Sequence, residues 1–73
     1  MVNEPKLGMY RHYKGDEMRV IGTARHSETF EKLVVYEHFG AVTGLFVRPL
    51  EMFMEDVEVN GKTVPRFEYL RDS

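Results

Sequence analysis

Arg25, His26, Ser27 and Glu28 follow one another at the end of a strand-like run. Between them they supply a cation, an imidazole, a hydroxyl and a carboxylate. A hydrolytic site needs a nucleophile, a base and an orienting acid that converge in space. Neighbours in an extended chain point to opposite faces, so His26 and Ser27 cannot meet while the strand stays regular. A polar strand end is the preferred reading, with Ser27 or Thr29 bonding the backbone of a turn. Between these readings stands a third, in which Arg25 and His26 are donors on the rim of a binding groove. An enzymatic alternative uses His26 as acid or base, with Glu28 or Glu51 as partner, on a phosphorylated or nucleotide-like substrate.

A second candidate is "MYRHY". Tyr10 and His12 share one face of an extended chain, and Arg11 and Tyr13 share the other. One face must meet the core. The other sets an aromatic ring beside a cation, which suits stacking on a base or packing on a proline-rich peptide. Arg11 lying over Tyr13 is the plainer use of the same pair.

Arg11, Arg25, Arg48 and Arg66 all fall in or near predicted strands. Two or three on one face could clamp a phosphate or carboxylate with forked hydrogen bonds. With nine glutamates in the chain, cross-strand pairing with Glu37, Glu51 or Glu68 competes with that use. His12, His26 and His38 have no metal-ligand spacing, and there is no cysteine to assist them. The glycines form no phosphate-binding loop. No cofactor or metal is expected.

The elements that must position these groups are short. "MRVIGTARH" alternates, with Met18, Val20, Gly22 and Ala24 on one face and Arg19, Ile21, Thr23 and Arg25 on the other. Gly22 inside it predicts a bend or bulge. "KLVVYEHF" is a third strand, because adjacent β-branched residues and an aromatic disfavour a competing helix over "SETFEKLVVYEHF". "GAVTG" turns the chain into "LFVRPL", which Pro49 stops. Leu50, Phe53 and Met54 predict one helical turn over 49–55, with Pro49 tolerated at its start. Asn60-Gly61 between alternating triplets predicts a type I′ hairpin joining strands at 57–59 and 62–64. "RFEYL" is the last strand, after which 71–73 are expected to fray; residues 1–7 are a polar lead-in. Five or six short strands and one helical turn predict a single all-β domain, a small antiparallel SH3-like barrel.

Length and charge narrow the function. The chain has 73 residues, enough for one small domain. With no cysteine there is no disulfide and no thiolate chemistry. Net charge is −2. Residues 1–36 carry +1 (six basic minus five acidic) and residues 37–73 carry −3 (four minus seven). That is not the strongly basic footprint of a nucleic-acid protein, although six of the ten basic residues are arginines and a local patch is open to them. No apolar run approaches the roughly 20 residues of a membrane span, and "MVNEPKLG" has no signal-peptide core. A reducing cytoplasm is the expected compartment.

The strings "GMYRHYKG", "ARHSET", "VVYEHFG" and "VRPLEMFMEDVEVNGKTVPRFEYL" together resemble a family of small bacterial proteins, the domain of unknown function 1653. The resemblance runs from residue 8 to about residue 70 and implies no particular activity. The expected role is a non-catalytic binding module whose groove is lined by Tyr10, Tyr13, Arg25, His26, Arg48 and Arg66. Its ligand would be a peptide, a nucleotide or RNA. A third possibility is a self-associating subunit. A core this small need not enclose nine aromatics, and Tyr36, Phe39 or Phe46 could form a homodimer face.

Overall fold

The computed structural model of the chain describes residues 5–39 and 44–72. It contains seven strands and one helical turn: β1 (Gly8–His12), β2 (Glu17–Arg25), β3 (Lys32–His38), β4 (Gly44–Pro49), α1 (Leu50–Phe53), β5 (Asp56–Val59), β6 (Lys62–Pro65) and β7 (Phe67–Arg71). The all-β expectation holds. Five strands form one antiparallel sheet in the order β4-β3-β2-β1-β7, and β5 and β6 pair only with each other.

That pairing corrects the expectation of a barrel. β1 to β4 form a meander, and β7 returns to lie beside β1, but β4 and β7 are edges of an open sheet. Pro49 ends β4, because it has no N–H to carry the ladder onward. The chain then continues into α1 and a separate hairpin before β7.

Face assignment follows from the pairing. Val34 and Tyr36 of β3 are buried, and Met18, Val20, Tyr10 and Phe67 join them on the same side of the sheet. α1 covers this face with Leu50 and Phe53, both buried. Met54, expected on the same apolar stripe, is exposed, because the helix ends at Phe53.

Gly22 does mark a bulge. The β2–β3 register shifts between Val20, opposite Tyr36, and Gly22, opposite Val35. The extra residue reverses the alternation beyond it. Gly22 and Ala24 therefore leave the core side that strict alternation assigned them. Ile21, at the bulge, is exposed.

The expected outward aromatics also need correction. Tyr36 is buried, and Phe46 packs against the core. Leu45 and Val47, which alternate with Phe46 along β4, are the exposed ones, at 65% and 57%. Of the three proposed aromatics only Phe39 is exposed, and the Arg19 guanidinium lies 5.4 Å from its ring centre.

The hairpin forms where Asn60-Gly61 predicts it. Both residues have positive φ, 51° and 79°. At the C-terminus, Arg71 is still in β7 and pairs with Met9, so the strand runs further than expected. The "GAVTG" turn includes residues 40–43, which lie outside the described residues, as do residues 1–4 and 73. Among the described residues no helix is long and apolar enough to cross a membrane.

Candidate functional site

The "RHSET" segment is a turn closed by its own histidine. The His26 N–H donates to the Glu31 carbonyl at 2.8 Å, and the Phe30 N–H donates back to the His26 carbonyl at 2.8 Å. His26 Nδ1 accepts the N–H groups of Glu28 (3.1 Å) and Thr29 (3.3 Å). The Thr29 hydroxyl accepts the Glu31 N–H at 3.2 Å. Arg25 Nη1 donates to the Phe30 carbonyl at 2.9 Å, within the same turn. His26, Ser27 and Glu28 are all exposed, and no carboxylate bonds the imidazole among the described residues. This is the polar strand end, with histidine as well as threonine doing the capping.

The proposed groove also divides. Arg11 lies opposite Glu17 at one end of β2, and Arg25 lies at the other. A nine-residue strand separates them by roughly 25 Å. Arg25, His26, Ser27 and Glu28 thus stand apart from the MYRHY residues. Tyr10 is core: it is buried, meets Phe53 and Tyr69 edge to face, and its hydroxyl donates to the Lys6 carbonyl at 2.8 Å. Burial pushes that phenol up, against the pull of the Lys6 hydrogen bond. Glu51 is exposed in the first turn of α1.

Arg66 is structural on two counts. Its N–H donates to the Glu55 carbonyl and its carbonyl accepts the Tyr13 N–H, both at 2.9 Å. Its Nε donates to Glu55 Oε1 at 3.1 Å. The residue therefore ties the base of the β5–β6 hairpin to the end of β1. Arg66 thus takes Glu55, which adjoins the hairpin, and not one of the glutamates expected across the strands; Glu37 pairs across strands with Arg19 (3.2 Å).

This tie creates a cleft. Arg11, His12 and Tyr13 form one wall. Val59, Asn60, Lys62, Val64 and Pro65 of the hairpin form the other, and Glu68 of β7 completes it. Its volume of about 510 Å³ is in the range of small-molecule sites. The His12 and Tyr13 rings lie 4.6 Å apart, inclined at 35°. His12 Nδ1 accepts the Lys14 N–H at 3.1 Å, so the neutral ring carries its proton on Nε2. Burial holds the His12 pKa below its usual value of 6.5, and the positive charges of Arg48 and Arg66 add to the effect, as does Lys14; Asp16 opposes it.

Arg11 and Lys62 enter none of the ion pairs among the described residues. Arg11 has Glu17 and Glu68 as cross-strand neighbours, yet Glu17 turns to Arg71 at 3.7 Å. The hairpin wall is not among the residues that the sequence pointed to. Its signal was local and visible: Lys62 follows the Asn60-Gly61 turn directly, but nothing in the string says which strand the hairpin faces.

A second cavity of about 380 Å³ lies beyond Pro65 and Glu68, which line both. Tyr10, Phe53, Phe67 and Tyr69 give it an aromatic wall. Among the described residues no group of three or more His, Asp or Glu side chains could hold a metal ion.

Comparison with known proteins places the chain. The model of the family described as "Protein of unknown function (DUF1653)" matches residues 8–69. The chain belongs to the DUF1653 family. A crystal structure of a DUF1653 protein from Bordetella bronchiseptica superposes with a TM-score of 0.86 at 38% sequence identity, covering 94% of this chain and 91% of that one. No curated protein matches. Family membership carries the fold and leaves function to the site itself.

Proposed function

We propose that this DUF1653 chain is a non-catalytic binding module whose ligand enters the cleft between the hairpin and the end of β1. The ligand is anionic and carries a flat ring, as a nucleotide or a base of single-stranded RNA does. One observation carries the reading: Arg11 and Lys62, cations without an ion-pair partner among the described residues, border the same cleft as the half-exposed Tyr13 ring. Stacking on an aromatic tolerates any base, and forked or ammonium hydrogen bonds hold a phosphate. Val59, Val64 and Pro65 supply apolar walls. The net charge of −2 disfavours long polyanions overall, which suits a short ligand held locally.

Amide chemical shifts during titration with nucleoside monophosphates, a short oligouridine and an acidic peptide test this. Movement confined to residues 11–13 and 59–65, weakened by Arg11→Ala and by Lys62→Ala, is the expected result. A ligand at 100 times its dissociation constant also adds about 2.7 kcal/mol to stability, readable as a thermal shift. A response to the peptide alone would replace the nucleotide by a peptide ligand. No response at these residues to any of the three would remove the cleft from consideration.

A further inference from the structure

Among the described residues, Arg48 is the arginine whose guanidinium has an unused buried donor. Its Nε is buried and has no hydrogen-bond partner among the described residues. Its Nη1 meets only the thioether of Met52, at 3.4 Å. Thioether sulfur is a weak acceptor, so this contact returns little of what the guanidinium gives up on leaving water.

The surroundings are cationic and aromatic. The guanidinium carbon of Arg48 sits 5.3 Å from the centre of the Phe67 ring. The His12 ring stands nearly perpendicular to that same ring, with centres 5.0 Å apart. β4 and β1 are not neighbours in the sheet, so Phe67 is where the two side chains converge. Of the other charged groups that act on His12, Arg66 already holds Glu55, Asp16 stands 4.0 Å from His38, and the Lys14 ammonium lies 5.8 Å from the centre of the Tyr13 ring. Among the described residues no carboxylate pairs with Arg48.

We propose that Arg48 and His12 form an oxyanion-binding site beside the Phe67 ring that both of them neighbour, separate from the hairpin cleft, for a carboxylate or phosphate group of a ligand. The anion takes the place of the exposed, flexible Met52 thioether at Nη1 and offers a second oxygen to the unpartnered Nε, completing a fork. His12 donates from Nε2, since its Nδ1 already accepts the Lys14 N–H. Arg48 does not line the cleft, and His12 does, so the two sites meet only at His12.

The test is a titration of the full chain with inorganic phosphate and, separately, with acetate, following the Arg48 Nε–H and His12 ring resonances. Saturable movement of both, with the His12 pKa rising as anion is added, is the expected result. The better of the two probes identifies the anion as phosphate or carboxylate. Arg48→Lys, which keeps the charge and loses the fork, should weaken binding about tenfold or more, as loss of a charge-assisted hydrogen bond does. Arg11→Ala removes the cleft's guanidinium, and the movement of the Arg48 Nε–H should persist in it. Absence of movement with both probes in the wild type overturns the proposal, and so does equal affinity in Arg48→Lys. Loss in Arg11→Ala would assign the anion to the cleft and overturn it equally.

Discussion

Phe53 and Phe67 stack face to face, with ring centres 4.3 Å apart and planes inclined by only 5°. Phe53 is, with Leu50, one of the two residues that α1 buries in the core, and Phe67 opens β7. The contact therefore joins the helical turn to the strand that lies beside β1. Tyr10 adds its edge to Phe53 at 5.2 Å, so three separate parts of the chain meet at one cluster.

Phe53→Ala should remove most of the protein's stability. Truncating a buried phenylalanine costs about 3–5 kcal/mol. A core in a domain this small rarely supplies more than about 3–5 kcal/mol in total. The alanine variant is expected to be largely unfolded by far-ultraviolet circular dichroism at room temperature. Phe53→Leu should fold with a lowered urea midpoint. A native-like midpoint for the alanine variant would show that α1 does not anchor the sheet.

Two glycines mark backbone that no other residue enters cheaply. Gly61 has φ of +79° in the hairpin turn, and Gly61→Val should cost about 1–2 kcal/mol. Gly8 has φ of +144°, and a Cβ there would stand 2.6 Å from the Arg71 carbonyl oxygen. That oxygen belongs to the neighbouring strand and cannot swing aside. Gly8→Ala should therefore destabilise the β1–β7 pairing. Urea unfolding of both variants checks the pair, and an unchanged midpoint for either would contradict the backbone described at that site.

What could be read from the sequence was what is decided locally. Asn60-Gly61, Pro49 before a helical turn and Gly22 at a bulge each act through their own backbone preferences, and each sits where those preferences put it. The face of β4 was not readable. Leu45, Phe46 and Val47 are all apolar, and alternation separates them into two sets without saying which set meets the core. Packing decides it, because Phe46 stacks near Tyr36, with ring centres 6.0 Å apart. The bulge reversed the faces of Gly22 and Ala24 for a similar reason: one extra residue shifts every position after it. Of the candidate site residues, Arg11, His12 and Tyr13 border the cleft together, while Arg25 and His26 serve their own turn. The cleft's other wall comes from residues some fifty positions away in the chain (Val59 to Pro65), a contact made by the tertiary fold.

His12 should make stability depend on pH in a defined direction. Burial, then Arg48 and Arg66, hold its pKa below the usual 6.5, with Asp16 opposing. The folded state thus prefers the neutral ring more than the unfolded state does. The contribution is complete above the unfolded value, near 6.5, and is lost as pH falls through the lower folded value. Above about pH 5 the carboxylates remain mostly ionised, so a fall in stability between pH 7 and about 5 reports mainly on histidines. His12→Gln should flatten that fall relative to the wild type, with His26 and His38 common to both. Thermal midpoints at several pH values measure it, and parallel curves for the two proteins would deny His12 the role.

Glu55 and Arg66 should prove more important to the cleft than to the fold. The pair is partly exposed, and such pairs usually contribute about 1 kcal/mol or less. Yet Arg66 joins the hairpin base to the end of β1 through its N–H and its carbonyl as well as its side chain. Glu55→Gln keeps the size of the side chain and weakens only the charged contact. The expected outcome is a midpoint lowered slightly, with amide hydrogen exchange accelerated in residues 56–65 and at Tyr13 while Val20, Val34 and Tyr36 stay protected. Arg66→Ala should add to the local loosening, because it leaves the Glu55 carboxylate unpaired. Nucleotide binding in the cleft, if measured on the same variants, should weaken in step with the exchange rates, since the hairpin wall holds Lys62 opposite Arg11. Uniform exchange across hairpin and sheet would instead mean that the hairpin and the five-stranded sheet unfold as one unit and that the pair is no local clamp.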